Sequence, residues 1–327
     1  MTSAGERGDA PPDSSAAAER LRGVAQATPL VRLDAADAPA EIYLKLESRQ
    51  PTGSFKIRTA GNQVLALTAD ECADGVYTAS SGNLGIATAW FAKQRNIRAT
   101  VLVPEDVPRA KAEMLEALGA DVQRVRYEDW WAAVVNRGVD GMPGTYIDAD
   151  GPMAIAGSAT IGLDIVEQCP DVDTVVCSFG GGALACGVAS TVKAARPDIT
   201  VLGCELETAT PLASALRAGE PVDVDYARSF ISGMGSTRVL DSMWPIIQRM
   251  LDGSIVVSLR EVCAAIRMLH QWGDIIAEGA GAAPVAAALS GRAGGGKIVC
   301  VVGGGNLGDE NLAMILAGET PGVQGRQ

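Results

Sequence analysis

The feature that most constrains this chain is an alternation. Short runs rich in β-branched residues at 75–79, 99–103, 121–126, 144–147, 174–177, 200–205 and 297–302 are separated by helical patterns at 85–95, 108–118, 156–168, 184–195, 212–218, 259–272 and 280–290. A strand followed by a helix of this length returns to pair in parallel, so the expected fold class is α/β, with parallel-rich twisted sheets covered by helices. Two short strands, 30–33 and 41–45, precede this series.

Glycine-bearing loops at 138–144 and 149–152 suggest a division of the 327 residues. Segments 19–67 and 150–318 are read as a large domain, 68–149 as a smaller, mobile one, 1–18 as a disordered leader and 319–327 as a tail too short for a regulatory module. The cleft between two such domains is the default place for a site.

Composition removes several classes of function. The formal net charge of −12 argues against nucleic acid or an anionic membrane as partner, so a small anionic substrate needs local donors. No apolar run reaches the roughly 18 residues that span a bilayer, and the polar N-terminus lacks a signal-peptide core, which points to a cytoplasmic protein. The seven cysteines form no C-x-x-C pair and read as buried thiols. With His270 the only histidine, and in an apolar-periodic segment, triad and histidine-rich metal chemistry are nearly excluded.

Lys56 closes the stretch Pro51-Thr52-Gly53-Ser54-Phe55-Lys56 and opens an apolar-periodic run, which places it at a helix start. Beside Phe55 and away from water, its amine is expected to lose charge, because desolvation and the positive helix end both oppose the ammonium. A neutral amine attacks aldehydes, the chemistry of a Schiff-base lysine. The plain alternative is a solvated lysine in a first turn.

Three loops keep Lys56 company, each following a strand. Ser80-Ser81-Gly82-Asn83-Leu84 offers hydroxyls and first-turn amides to a carboxylate, unless Ser81 or Asn83 only caps its own helix. In Gly180-Gly181-Gly182-Ala183-Leu184 three glycines let amides converge on a phosphate monoester; a plain turn is the alternative. Gly303-Gly304-Gly305-Asn306 allows a flat ring to lie against backbone, or merely ends a strand.

Together with Ser54-Phe55-Lys56, these loops resemble the four signatures of the fold-type-II pyridoxal-phosphate enzymes, in the threonine/serine dehydratase and serine racemase branch, whose fold is like that of the tryptophan synthase β chain. The likeness runs from about residue 20 to about residue 318 and includes 156–163 and 277–282. It implies pyridoxal 5'-phosphate on Lys56, Phe55 beside the ring, and Asn83 at the 3′ oxygen. Gly180, Gly181, Gly182, Ala183 and Leu184 would hold the phosphate, and Glu278 and Gly303 would lie near the ring. Ser80, Ser81, Gly82, Asn83 and Leu84 would grip the substrate carboxylate, with Ser81 a second catalytic residue.

The chain departs from that pattern at four places. Gly303 stands where relatives carry a hydrogen-bonding side chain, Leu84 where they carry histidine, and Ala183 where they carry another glycine. Pro211 replaces an aspartate that, with a glutamate matching Glu205, binds a cation in several relatives, so no metal is expected. The implied activity is an ammonia-lyase releasing a 2-oxo acid and ammonia from threonine or serine. Gly303 favours elimination, because an unprotonated pyridine nitrogen makes a weaker electron sink. Racemisation through Ser81, β-replacement, and a non-catalytic nucleotide- or amino-acid-binding protein are the alternatives; a homodimer is expected from kinship.

Overall fold

The computed structural model describes residues 12–35, 38–322 and 324–326. The larger sheet collects β1 (Leu30–Arg32), β2 (Glu41–Lys45), β7 (Thr174–Ser178), β8 (Thr200–Leu206), β10 (Gly253–Val257) and β11 (Lys297–Val301) in the order β1-β2-β11-β7-β8-β10. Only the β1–β2 pair is antiparallel. A second sheet, wholly parallel, takes β3 (Val76–Ala79), β4 (Ala99–Pro104), β5 (Asp121–Val125) and β6 (Thr145–Tyr146) in the order β5-β4-β3-β6. A ribbon of β9 (Ala227–Arg228) and β12 (Gln324–Arg326) completes the strands, so the segment read as a bare tail returns to pair.

The central strands carry near-continuous apolar runs because both faces are covered: β7 buries Val175, Val176 and Cys177, and β11 buries 298–301. Two clusters flank the larger sheet. One is built on α10 (Leu259–Gly273) and α11 (Gly279–Leu289), the other on α6 (Pro152–Gln168) and α7 (Ala183–Ala195). Small residues bring these helices together. A side chain on Gly157 would strike the Arg58 carbonyl at 2.3 Å, and one on Gly187 the Ile155 carbonyl at 2.6 Å, so α6 lies backbone to backbone with both neighbours. All seven cysteines are buried and unpaired.

The leader is not wholly without structure. α1 runs from Ser14 to Leu21, started by the Asp13 carboxylate accepting from the Ala16 amide at 2.9 Å, and buries Ala17 and Leu21. The disorder expected for 14–18 is therefore corrected; residues 1–11 lie outside the described residues. The remaining helices are α2 (Lys56–Val64), α3 (Asn83–Arg95), α4 (Arg109–Ala117), α5 (Tyr127–Val135), α8 (Pro211–Ala218), α9 (Trp244–Met250) and α12 (Asp309–Leu316). Among the described residues no helix is long and apolar enough to cross a membrane.

Candidate active site

The lysine loop and the last glycine loop are stitched together although some 250 positions separate them. The Phe55 amide donates to the Gly303 carbonyl and the Gly305 amide to the Gly53 carbonyl, each at 2.9 Å, with Ser54 bridged to Gly304 between them. That pairing sets Lys56 at the first position of α2, as the sequence predicts. Its Nζ donates to the Ala149 carbonyl at 3.3 Å and lies 5.0 Å from the centre of the Phe55 ring. Desolvation lowers the amine to about 8, with Asp150 and Asp148 opposing it. At pH 7 about a tenth of such amines are neutral, where an ordinary lysine is almost fully charged.

Two residues along α2, Arg58 anchors this helix in a buried charge cluster that the sequence reading missed. Its Nε meets Glu47 at 2.9 Å and its Nη2 meets Asp164 at 2.6 Å, while Lys45 reaches Asp164 at 3.1 Å. Burial lowers the fully enclosed Lys45 amine, whereas the two carboxylates raise Arg58 against its own desolvation.

Both anion-cradle helices begin without a side-chain cap. In α3 the N-cap is Gly82, not Ser81 or Asn83, and Ser80 only accepts from the Gly82 amide at 3.3 Å. In α7 the N-cap is Gly182 at φ +96°, a conformation that suits glycine. Gly180 has no room for a side chain, since the Gly233 carbonyl would lie 2.5 Å from it. The run Ser232-Gly233-Met234-Gly235 thus backs the triple-glycine loop, and Asp150, paired with Arg137 at 3.6 Å, faces it near Gly181. The Leu84 side chain is buried in the core under the second sheet, so only its backbone is placed to serve a ligand.

Asn83 and Glu278 meet. Asn83 Nδ2 donates to Glu278 Oε1 at 2.6 Å, and Asn83 Oδ1 accepts from Asn306 Nδ2 at 2.7 Å. Glu278 is the N-cap residue of α11, yet its side chain does not cap the helix. Burial raises its carboxyl to about 7, opposed by the Asn83 hydrogen bond and the charge of Lys111. Lys111, on α4, is in turn lowered by burial, with Glu278 opposing.

The glycine shelf has two sets of close neighbours. At Gly304 the missing side chain makes room for Glu278, whose Oε1 would lie 2.3 Å from a β-carbon there. At Gly303 the neighbouring space belongs to Phe55 at 3.3 Å and Leu184 at 3.8 Å, both apolar. Glu205 also has other work: its carboxylate accepts from the Leu212 and Ala213 amides at 2.6 and 2.8 Å and from Ser254 at 2.6 Å, capping α8 where Pro211 sits at the first turn. Trp130 and Trp131 pack 6.2 Å apart on α5, with Trp130 against Ala79, Leu102 and Ala133, which makes Trp130 an anchor of the second sheet.

Lysine, triple-glycine loop, uncapped α3 start and terminal glycine loop therefore converge at the carboxyl ends of β2, β7, β3 and β11. The profile of the pyridoxal-phosphate dependent enzymes matches residues 21–304. The chain belongs to that family. A putative threonine dehydratase of Sinorhizobium fredii is 37% identical over 277 residues, 82% of each chain. An L-threonine ammonia-lyase of Thermotoga maritima is 35% identical over 276 residues, 83% of this chain and 68% of its own. Among solved structures, maize serine racemase superposes with a TM-score of 0.84 at 28% identity, covering 94% of this chain and 98% of that one. Threonine deaminase isoform 2 of Solanum lycopersicum gives 0.82 at 30% identity, covering 90% and 84%.

The residues present fit the family's cofactor. A poised amine at Lys56, a glycine bend opening α7 without a side-chain cap, and a buried Ser54 hydroxyl without a partner supply a nucleophile, a phosphate cradle and a spare polar group in one place.

Proposed function

We propose that this chain is a pyridoxal-phosphate-dependent ammonia-lyase acting on a small β-hydroxy amino acid, threonine or serine. The observation that carries the reading is the Lys56 amine, desolvated to about 8 between the two sheets, in a chain similar to threonine dehydratases over four fifths of its length. When bound, the cofactor withdraws electrons from the substrate Cα. Lys56 holds it and, once released, takes the Cα proton at Nζ as general base. The amides of Gly180, Gly181, Gly182, Ala183 and Leu184 hold the phosphate, with the start of α7 adding its positive end. Ser80, Ser81, Gly82, Asn83 and the Leu84 amide orient the substrate carboxylate, and Phe55 walls the ring site from water. The apolar surroundings of Gly303 offer no acid to a ring nitrogen there, which suits a reaction whose β-hydroxyl leaves at once.

In this reading residues 19–67 and 150–318 form the cofactor-binding body, 68–149 a smaller body that closes over it, and two copies associate. Screening hydroxy amino acids for 2-oxo acid release, with the absorption spectrum recorded, tests the activity; sedimentation tests the association. Racemisation is the second reading, favoured by the likeness to maize serine racemase and requiring Ser81 as the acid on the opposite face. A chiral assay separates the two, since a racemase accumulates D-amino acid and a lyase the oxo acid.

A further inference from the structure

The amide orientations around Asn83 follow from one backbone carbonyl. Asn306 Nδ2 lies 3.0 Å from the Thr52 carbonyl, which can only accept, so the nitrogen and not the oxygen of Asn306 must face it. The same nitrogen lies 2.7 Å from Asn83, so Asn83 must present its oxygen there. Its own nitrogen is then directed to Glu278 at 2.6 Å, with one further hydrogen uncommitted. Asn306 holds its place because Gly53 leaves the room: a β-carbon at Gly53 would lie 2.2 Å from Asn306 Oδ1, and Gly53 has a φ of +71°.

We propose that Asn306 is a positioning residue that locks the Asn83 amide with its donor, rather than its acceptor, turned toward Glu278 and the cofactor's ring oxygen. The lock matters because Glu278 fixes the Asn83 amide only while it is ionised. Ionised, it repels a flipped amide; protonated, it would donate to the flipped Asn83 oxygen and stabilise the wrong orientation. The charged or titrating group on its other side is Lys111. Asn306 removes that freedom from the opposite end, reaching across 223 positions of sequence to Asn83 while it holds the Thr52 carbonyl of the lysine loop. This inference rests on Asn83 facing the ring oxygen, as in the function proposed above.

The test uses purified holoenzyme of wild type, Asn306→Ala and Asn306→Asp, without substrate. The ratio of the two absorption bands of the lysine-bound cofactor, which reports the proton's place between nitrogen and ring oxygen, is normalised to cofactor content. Aspartate cannot donate to Asn83, so it drives the flip and should move the ratio by about tenfold, the effect of one hydrogen bond to a charged oxygen. Alanine only frees Asn83 and should move it less. A merely structural role predicts a ratio unchanged in both folded variants; that result, or a larger shift with alanine than with aspartate, overturns the proposal. If Asn306→Asp fails to fold, an unchanged ratio in Asn306→Ala overturns it alone. Wild type without any cofactor band contradicts the functional reading instead.

Discussion

Asn83 Nδ2 and Glu278 Oε1 lie 2.6 Å apart, joining the first turn of a helix on the four-stranded sheet to the residue that opens a helix against the six-stranded one. The contact crosses the site between the sheets. It also ties the geometry of the site to the protonation of one carboxyl group.

That coupling has a sign. The Glu278 carboxyl is raised from 4.5 to about 7 in the folded chain, so its contribution to stability is full below its unfolded value and is lost as pH rises through 7. Glu278→Gln keeps an acceptor for Asn83 without the charge. In cofactor-free protein its stability relative to wild type should grow by on the order of 3 kcal/mol between pH 5 and pH 8. Urea denaturation at the two pH values measures this; a pH-independent difference contradicts the assignment.

The Arg58 cluster makes a second prediction. Arg58→Met removes one cation and leaves the buried Glu47 without its ion pair, and Asp164 with Lys45 alone. A loss of about 3–5 kcal/mol is expected, typical of breaking a buried pair. Denaturant midpoints read it, and a loss under about 1 kcal/mol would show the cluster to be solvated.

At Gly304 the expectation is steric. Gly304→Ala places a β-carbon 2.3 Å from Glu278 Oε1 and 3.0 Å from Asn83 Nδ2, so the Asn83–Glu278 contact must open. The variant should lose about 1–3 kcal/mol and bind cofactor more weakly. Gly308→Ala, where nothing lies within reach of a β-carbon, is the matched control. Equal cofactor affinity in the two variants would disprove the crowding argument.

Glu205 provides a fourth. Three donors already occupy its carboxylate, and a cation would have to displace the amides that start α8. Chelation should leave the melting temperature unchanged, while Glu205→Gln should cost about 1–2 kcal/mol through loss of the cap. A rise in melting temperature on adding magnesium or calcium would restore the metal role.

What the sequence disclosed was local, and what it concealed was long-range. Alternating strand and helix patterns and glycine loops are short-range signals, so β3, β7 and β11 and the loops after them could be read directly. The edge strand β10 carries only three β-branched residues and escaped notice; α1 hid in a polar leader, although Asp13 before Ser14 is a legible cap. The partners of Arg58 and Asn306 could not be read, because Asp164 lies 106 positions from the one and Asn83 lies 223 from the other. No periodicity pairs residues over such spans. Nor could the sequence show what Glu205 does here, since the amides of Leu212 and Ala213 that it caps and the Ser254 hydroxyl that it accepts are tertiary partners.

One amine must carry the cofactor, and borohydride reduction of purified holoenzyme followed by peptide mapping identifies it most directly. The predicted result is one phosphopyridoxyl group per chain on Lys56, with Lys56→Ala unlabelled, lacking the absorption band and inactive. Label on Lys111, the other desolvated lysine near Glu278, or no label on a protein that still turns over hydroxy amino acids, would contradict it.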